Sequence, residues 1–452
     1  MTTSKTAVIV LAAGLGTRMK SKLAKVLHPL AGRPMIAHLM ATIDGLDPED
    51  VCVVVGGFMD SISDVVSPFP TAVQSDRLGT AHAVLAARDS IGDFDGDVLV
   101  LYGDTPLITP DTLEAMLDAR HSDLDPAVVV LGFTPEDAGE YGRLIVGEDG
   151  ALNAIVEARD ATDDQRQVDL CNSGVMAIDG KVMWSLLDRV GNDNAKGEYY
   201  LTDIIGLACA DGRNCCVVEG EPDELIGINS RIELAEAEAI LQDRLRFQAM
   251  ENGVTLIDPT TVFLSHDTKL GVDVSIGPNV FFGPGVSIGD GATINAFCHI
   301  EGARVLPKAS IGPFARLRPG TTVSEGARVG NFVEIKNAML EPGAKVSHLT
   351  YIGDAHIGEG ANIGAGTITC NYDGYFKSKT IIGKGAFIGS NTALIAPVTI
   401  GDGAVVGAGS TICKDVDGDA LAVTRARHQQ IDGWAKINRK RKAAEKAKKK
   451  KD

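Results

Sequence analysis

The chain has 452 residues, 44% of them hydrophobic, enough for two or more domains with real cores. A formal net charge of -17 argues against a nucleic-acid binder, and eight cysteines with no CxxC pair, of which only Cys215 and Cys216 lie close together, point to a reduced, cytoplasmic protein. The apolar stretch of MTTSKTAVIVLAAG is too short for a signal peptide and no run of 18 apolar residues occurs, so neither export nor a membrane span is expected.

In chain order, the first feature is VIVLAAGLGTRM, residues 8–19, an apolar strand running into a two-glycine loop. It is not a dinucleotide fingerprint, because the third glycine position is Met19, and it is not a P-loop, because no lysine-hydroxyl pair follows Gly16. Two readings stay open: a loop whose N–H groups converge on a phosphate, helped by Arg18, Lys20, Lys22 and Lys25, or a plain strand-to-helix turn. The runs TAVIVLAAG, DVCVVVGG, GDVLVLYGD and AVVVLGF then alternate with helical patterns such as RPMIAHLMATI, which predicts a mostly parallel sheet covered by helices. Near residue 230, Ser230 and Glu233 form a capping box that opens a helix ended by Asn252-Gly253, read as a linker helix over 231–253.

From residue 262 the texture changes. Ile276, Phe282, Ile288, Ile294 and Ile300 are six apart, and so are Ile382, Ile388, Leu394, Ile400, Val406 and Ile412. An aliphatic hexapeptide period with interspersed glycine predicts a parallel β-helix in which three repeats close one coil, so that residues 18 apart stack about 4.8 Å apart. Arg318 and Lys336 are 18 apart. Two stacked cations at about 5 Å repel by roughly 3 kcal/mol at an effective dielectric near 20, so the stack implies either an anion between them or two solvated side chains that splay apart. The period breaks at CNYDGYFKSK, residues 370–379, a ten-residue extrusion of the kind that carries function. Residues 436–452 hold ten Lys or Arg against two acids, about +8 against about -25 for the rest, and read as a solvated disordered tail.

These stretches together carry a resemblance over residues 5 to about 435. LAAGLGTRM, QSDRLGTAHA, LYGDTPL, YGRLI, IVEARDAT, GEYYLTD and GINSR, then IGPFARLRPG, VGNFVEIK, SHLTYIGDA and NIGAGTITCNYDG, resemble the bacterial family of bifunctional N-acetylglucosamine-1-phosphate uridyltransferase and glucosamine-1-phosphate N-acetyltransferase. The resemblance implies an α/β nucleotidyltransferase, Rossmann-like, over 1–230, the linker helix, and a left-handed parallel β-helix of hexapeptide repeats over 254–435. It implies acetyl transfer from acetyl-CoA to glucosamine-1-phosphate, then uridylyl transfer from UTP, supplying UDP-N-acetylglucosamine for the cell envelope. The family usually has proline before the lysine of KVL; here the residue is Ala24.

By the same resemblance, Leu11, Ala12, Ala13 and Gly14 contact the uridine nucleotide, and Arg18 and Lys25 neutralise its phosphates. Tyr102, Gly103 and Asp104 end a strand, with Asp104 and Asn229 holding Mg²⁺. Gln74, Gly79 and Thr80 read the uracil, and Gly142, Glu157 and Asn172 the sugar. In the second half, Arg318, Lys336, Tyr351 and Asn362 bind the sugar phosphate and His348 is the general base. Ala365, Asn371, Tyr372, Ser390, Ala408 and Arg425 contact acetyl-CoA along an edge that meets a neighbouring subunit of a homotrimer. Two alternatives remain on sequence grounds: a single-function pyrophosphorylase whose β-helix only oligomerises, and a regulatory chain built from the same two parts.

Overall fold

The computed structural model describes residues 5–57, 59–194 and 196–448. The chain divides into two compact units, one of residues up to Glu251 together with Phe263–Asp267, the other of Asn252–Val262 and Thr268 onward.

The first unit is built on a mixed, mostly parallel sheet. Its principal strands are β1 (Thr6–Ala12), β2 (Asp50–Gly56), β3 (Thr71–Gln74), β4 (Asp97–Tyr102), β5 (Val128–Phe133), β6 (Cys171–Asp179) and β7 (Cys215–Glu219), in the order β7-β5-β6-β4-β1-β2-β3. β1 lies parallel between β4 and β2, with Leu11 in register with both Tyr102 and Val54. The strand order therefore reverses beside β1, and an open α/β sheet binds ligands outside the carboxyl ends of its strands at such a switch point. β1 is buried throughout, and its alternating side chains feed two cores: Ala7, Ile9 and Leu11 on one face, Val8, Val10 and Ala12 on the other. That two-sided burial is why the strand reads as a continuous apolar run.

Four of these strands coincide with the apolar runs of the sequence. β6 did not stand out there, because CNSGVMAID carries Ser173 and Gly174 at a register shift between Asn172 and Met176. It pairs antiparallel with both β4 and β5.

Helix Arg231–Glu251 opens at the expected capping box: Glu233 N–H donates to Ser230 Oγ, and Ser230 N–H to Glu233 Oε2. It packs within the first unit rather than standing apart. Ala237 joins Leu30, Met35, Leu107 and Ile228 in a core, and buried Gln242 bonds both backbone groups of Leu264.

The second unit is a left-handed parallel β-helix of short strands. One face stacks Ile276, Ile294, Ile311, Val329, Val346, Ile363, Ile388 and Val406 in successive coils, all buried. All but one of the successive steps are 17 or 18 residues, so the coil is less uniform than a strict period of 18. The step from Ile363 to Ile388 contains the expected extrusion. Longer strands Glu334–Leu340 and Tyr351–Ile357 run through a corner and join two faces.

The tail expected to be disordered instead forms helix Trp434–Lys448, with no buried residue. Its alanines and lysines favour helix intrinsically, and Glu445 pairs with Arg441 and Lys442 one turn away. Residues 449–452 lie outside the described residues. Among those described, no helix is long and apolar enough to cross a membrane.

Candidate active sites

At the carboxyl ends of β1 and β4, a cavity of about 320 Å³ is lined by Leu11, Ala12, Ala13, Gly14, Lys25, Gln74, Gly79, Thr80, Tyr102 and Asp104. These are residues singled out in the sequence, now converging from four segments. Each segment is held by a local device. Gly16 has φ +60°, and a Cβ there would meet Lys25 Cβ at 2.5 Å, so the glycine lets the loop close onto Lys25. Gly79 has φ +122° against the Tyr199 carbonyl, where a Cβ would come within 2.3 Å. Buried Gln74 donates to the Gly79 carbonyl at 3.1 Å, and Thr80 Oγ1 accepts from Leu201 N–H at 2.9 Å. Burial, aided by the charges of Asp104 and Glu157, raises the Tyr102 pKa far above its ordinary value and keeps the phenol neutral.

Lys25 Nζ lies between Asp104 Oδ2 and Asn229 Oδ1, forming a short ion pair with the first and a 3.0 Å hydrogen bond to the second. Asn229 is positioned by its own N–H on Glu233 Oε2 at 2.7 Å, and the Ile228 N–H bonds the Asp104 carbonyl at 2.9 Å. Two oxygens from distant segments thus already converge on one cation, here an ammonium. A carboxylate and an amide oxygen are hard donors, and that donor set fits magnesium, which takes few protein ligands and completes its shell with phosphates and water.

Arg18 does not line this cavity. It lies in a neighbouring polar one of about 350 Å³ with Glu140, Glu157, Arg159, Lys196 and Tyr200. Burial raises the Glu157 carboxyl pKa, Lys196 opposing it. Glu157 directly follows a strand, Leu152–Val156, that pairs with Arg143–Val146, and Asn172 N–H bonds the Gly142 carbonyl at 2.8 Å, so the three expected sugar contacts share one corner of the sheet.

In the second unit, Leu317 pairs with Ile335, which stacks Arg318 beneath Lys336 as the 18-residue argument requires. The charge balance differs from that argument. Arg318 Nη1 is paired with Glu334 Oε1 at 2.9 Å, so the protein itself supplies one anion. The Lys336 ammonium is instead crowded by Lys377 from the extrusion, which lowers its pKa more than Arg318 does. Asp354 lies beside them. Burial raises its pKa, but hydrogen bonds from Asn337 and Asn371 and the charges of Lys336 and Lys377 bring it below the usual carboxylate value. Lys377 was visible in FKSK, yet only the folded extrusion shows which cation it faces.

Tyr351 is in register with Glu334, on the same face as the cations. His348 is exposed one corner earlier, its Nδ1 2.7 Å from Asn331 Oδ1, in a cleft of about 440 Å³ with Asn331, Phe314 and Phe332. Asn362 stands on His348's face, in register with Lys345. Ala365, Ser390 and Ala408 follow one edge: the Asn391 N–H bonds the Ala365 carbonyl, the Gly409 N–H bonds the Ser390 carbonyl, and Arg425 runs past Gly407 and Gly409. Buried Asn371 and exposed Tyr372 begin the extrusion, where Tyr372 bridges to Lys377.

Residues 8–170 match the MobA-like NTP transferase domain, and residues 379–414 match the bacterial transferase hexapeptide (six repeats). The Bifunctional protein GlmU of Paramagnetospirillum magneticum is 63% identical over 99% of this chain and 100% of its own length. That of Rhodospirillum rubrum is 66% identical over 96% and 97%, and that of Zymomonas mobilis 48% over 96% and 97%. With both domain types present and both chains matched almost end to end, this chain belongs to the family of the bifunctional protein GlmU.

Proposed function

We propose that the chain makes UDP-N-acetylglucosamine at two separate sites, by acetyl transfer to glucosamine-1-phosphate in the β-helix and uridylyl transfer from UTP in the α/β unit. The end-to-end similarity to bifunctional relatives carries this reading.

In uridylyl transfer, a phosphate oxygen of the sugar attacks the α-phosphorus of UTP and pyrophosphate leaves, so the site needs positioning and charge neutralisation but no covalent nucleophile. Leu11–Gly14, Gln74, Gly79 and Thr80 hold the nucleotide, while Gly142, Glu157 and Asn172 hold the sugar. Asp104 and Asn229 would hold Mg²⁺, which would supply neutralisation of the phosphate charge. Lys25 and Arg18 supply positive charge that neutralises the phosphates.

In acetyl transfer, Arg318, Lys336 and Lys377 hold the sugar phosphate. The Asn331 amide oxygen accepts from His348 Nδ1–H, which leaves Nε2 free to take the proton from the amine as it attacks the thioester carbonyl. The tetrahedral adduct expels the CoA thiolate. Ala365, Asn371, Tyr372, Ser390, Ala408 and Arg425 hold acetyl-CoA along the β-helix edge, completed by a neighbouring copy in a cytoplasmic homotrimer. The stacked, half-exposed Phe297, Phe314 and Phe332 beside His348 support burial of that edge against another chain.

The test supplies glucosamine-1-phosphate, acetyl-CoA, UTP and Mg²⁺, and follows CoA and pyrophosphate. Asp104→Ala is expected to abolish pyrophosphate release while CoA release continues, and His348→Ala to stop CoA release while added N-acetylglucosamine-1-phosphate is still uridylylated. Loss of both reactions in either folded variant would refute the two-site assignment.

A further inference from the structure

Arg77 joins three strand ends at the nucleotide cavity. It lies in the loop after β3, lines the cavity, and donates from Nε to the Ala13 carbonyl at 2.8 Å. Its guanidinium lies over Gly56, the last residue of β2: a Cβ there would come within 2.5 Å of Arg77 Nη2, 3.1 Å of Met59 Sδ and 3.2 Å of the Ala13 oxygen. Gly56 is buried, so the guanidinium fills the place of a side chain at the end of that strand. The Ala13 peptide belongs to the turn that leaves β1 toward Gly14, where nothing lies within 4 Å of an added Cβ. Ala13 itself is buried against the core, but Gly14 lacks such packing, and the bond from Arg77 fixes the carbonyl of the peptide that joins the two.

We propose that Arg77 is a positioning residue for uridylyl transfer: by holding the Ala13 carbonyl over Gly56, it fixes the Ala13–Gly14 turn in the geometry that receives UTP. This rests on the reading of the cavity as the UTP site. The residue acts through the loop backbone, so its removal raises the KM for UTP while kcat changes little, the signature of lost binding common to ground and transition states. A charged donor to a backbone carbonyl is among the stronger hydrogen bonds, and an increase of about tenfold in KM is expected on losing it.

The experiment measures pyrophosphate release against UTP concentration for the parent enzyme, Arg77→Met, Arg77→Lys and Gly56→Ala, with CoA release as the internal control. Arg77→Met should raise the UTP KM about tenfold, with kcat within about twofold and acetyl transfer unchanged. Gly56→Ala, whose Cβ displaces the guanidinium, should shift KM the same way, and it carries the test if Arg77→Met does not fold. Arg77→Lys keeps the charge without the planar Nε donor and should resemble Arg77→Met; full rescue by lysine would overturn the proposal in favour of a simple charge effect. An unchanged KM in folded Arg77→Met would also overturn it. A parent enzyme that releases no pyrophosphate from UTP would instead refute the reading of the cavity itself.

Discussion

At the scale of single residues, Lys25 ties together two segments that are far apart in the sequence. Its ammonium neutralises Asp104 and bonds Asn229, so the two oxygens are held together. The residue before it departs from the family pattern, and the backbone shows how little that changes: Ala24 has φ -57°, within the range that proline enforces. Proline at that position would restrict the unfolded chain without moving the folded one. Ala24→Pro is therefore expected to stabilise the first unit by about 0.4–1 kcal/mol, with the uridylyl-transfer kcat retained. A lower denaturation midpoint would show that the native geometry before Lys25 does not admit the ring.

At the scale of elements, the coil that carries the extrusion decides the chemistry of the β-helix. The period of six already set Arg318 beneath Lys336. It could not give Lys377, because an extrusion interrupts the period and is placed by its own contacts: Asp373 accepts from the N–H groups of Tyr375 and Phe376, and Tyr372 bridges to Lys377. Nor could it give the Glu334 partner of Arg318, a matter of side-chain direction. With Arg318 paired to Glu334, Lys336 and Lys377 share the neighbouring carboxylate of Asp354, so positive charge remains in excess there and a bound anion relieves their repulsion. Added glucosamine-1-phosphate should raise the melting temperature of the parent protein more than that of Lys336→Ala, and the variant should lose tenfold to about a hundredfold in acetyl-transfer efficiency. Equal ligand-induced shifts would mean that Lys336 does not share the anion.

At the scale of the whole molecule, the α/β unit and the β-helix are separate compact units, and each brings together its own set of candidate site residues. The basic helix at the end of the chain buries no residue, so its charge is available to solvent. A chain ended after Asn438, which removes most of the basic residues, is expected to keep both turnovers. A large loss of CoA release from such a chain, with its oligomeric state unchanged, would assign that segment to the acetyl-transfer site.

Periodicity and local signals by themselves determined the architecture. Alternating apolar runs specified a parallel sheet, a period of six specified the coil, and Ser230 with Glu233 marked where a helix begins, because burial on a repeating backbone leaves its period in the sequence. The loops around the cavity were legible as motifs through the resemblance, including Gly16 and Gly79, whose backbone conformations suit glycine. Tertiary structure alone decided which charges meet. Arg18 lines a cavity with Glu157 and its neighbours, Lys336 faces Lys377, and Arg77 reaches back to Ala13. Such pairings join segments separated by tens or hundreds of residues through flexible side chains, and no repeat or local propensity records where those side chains end.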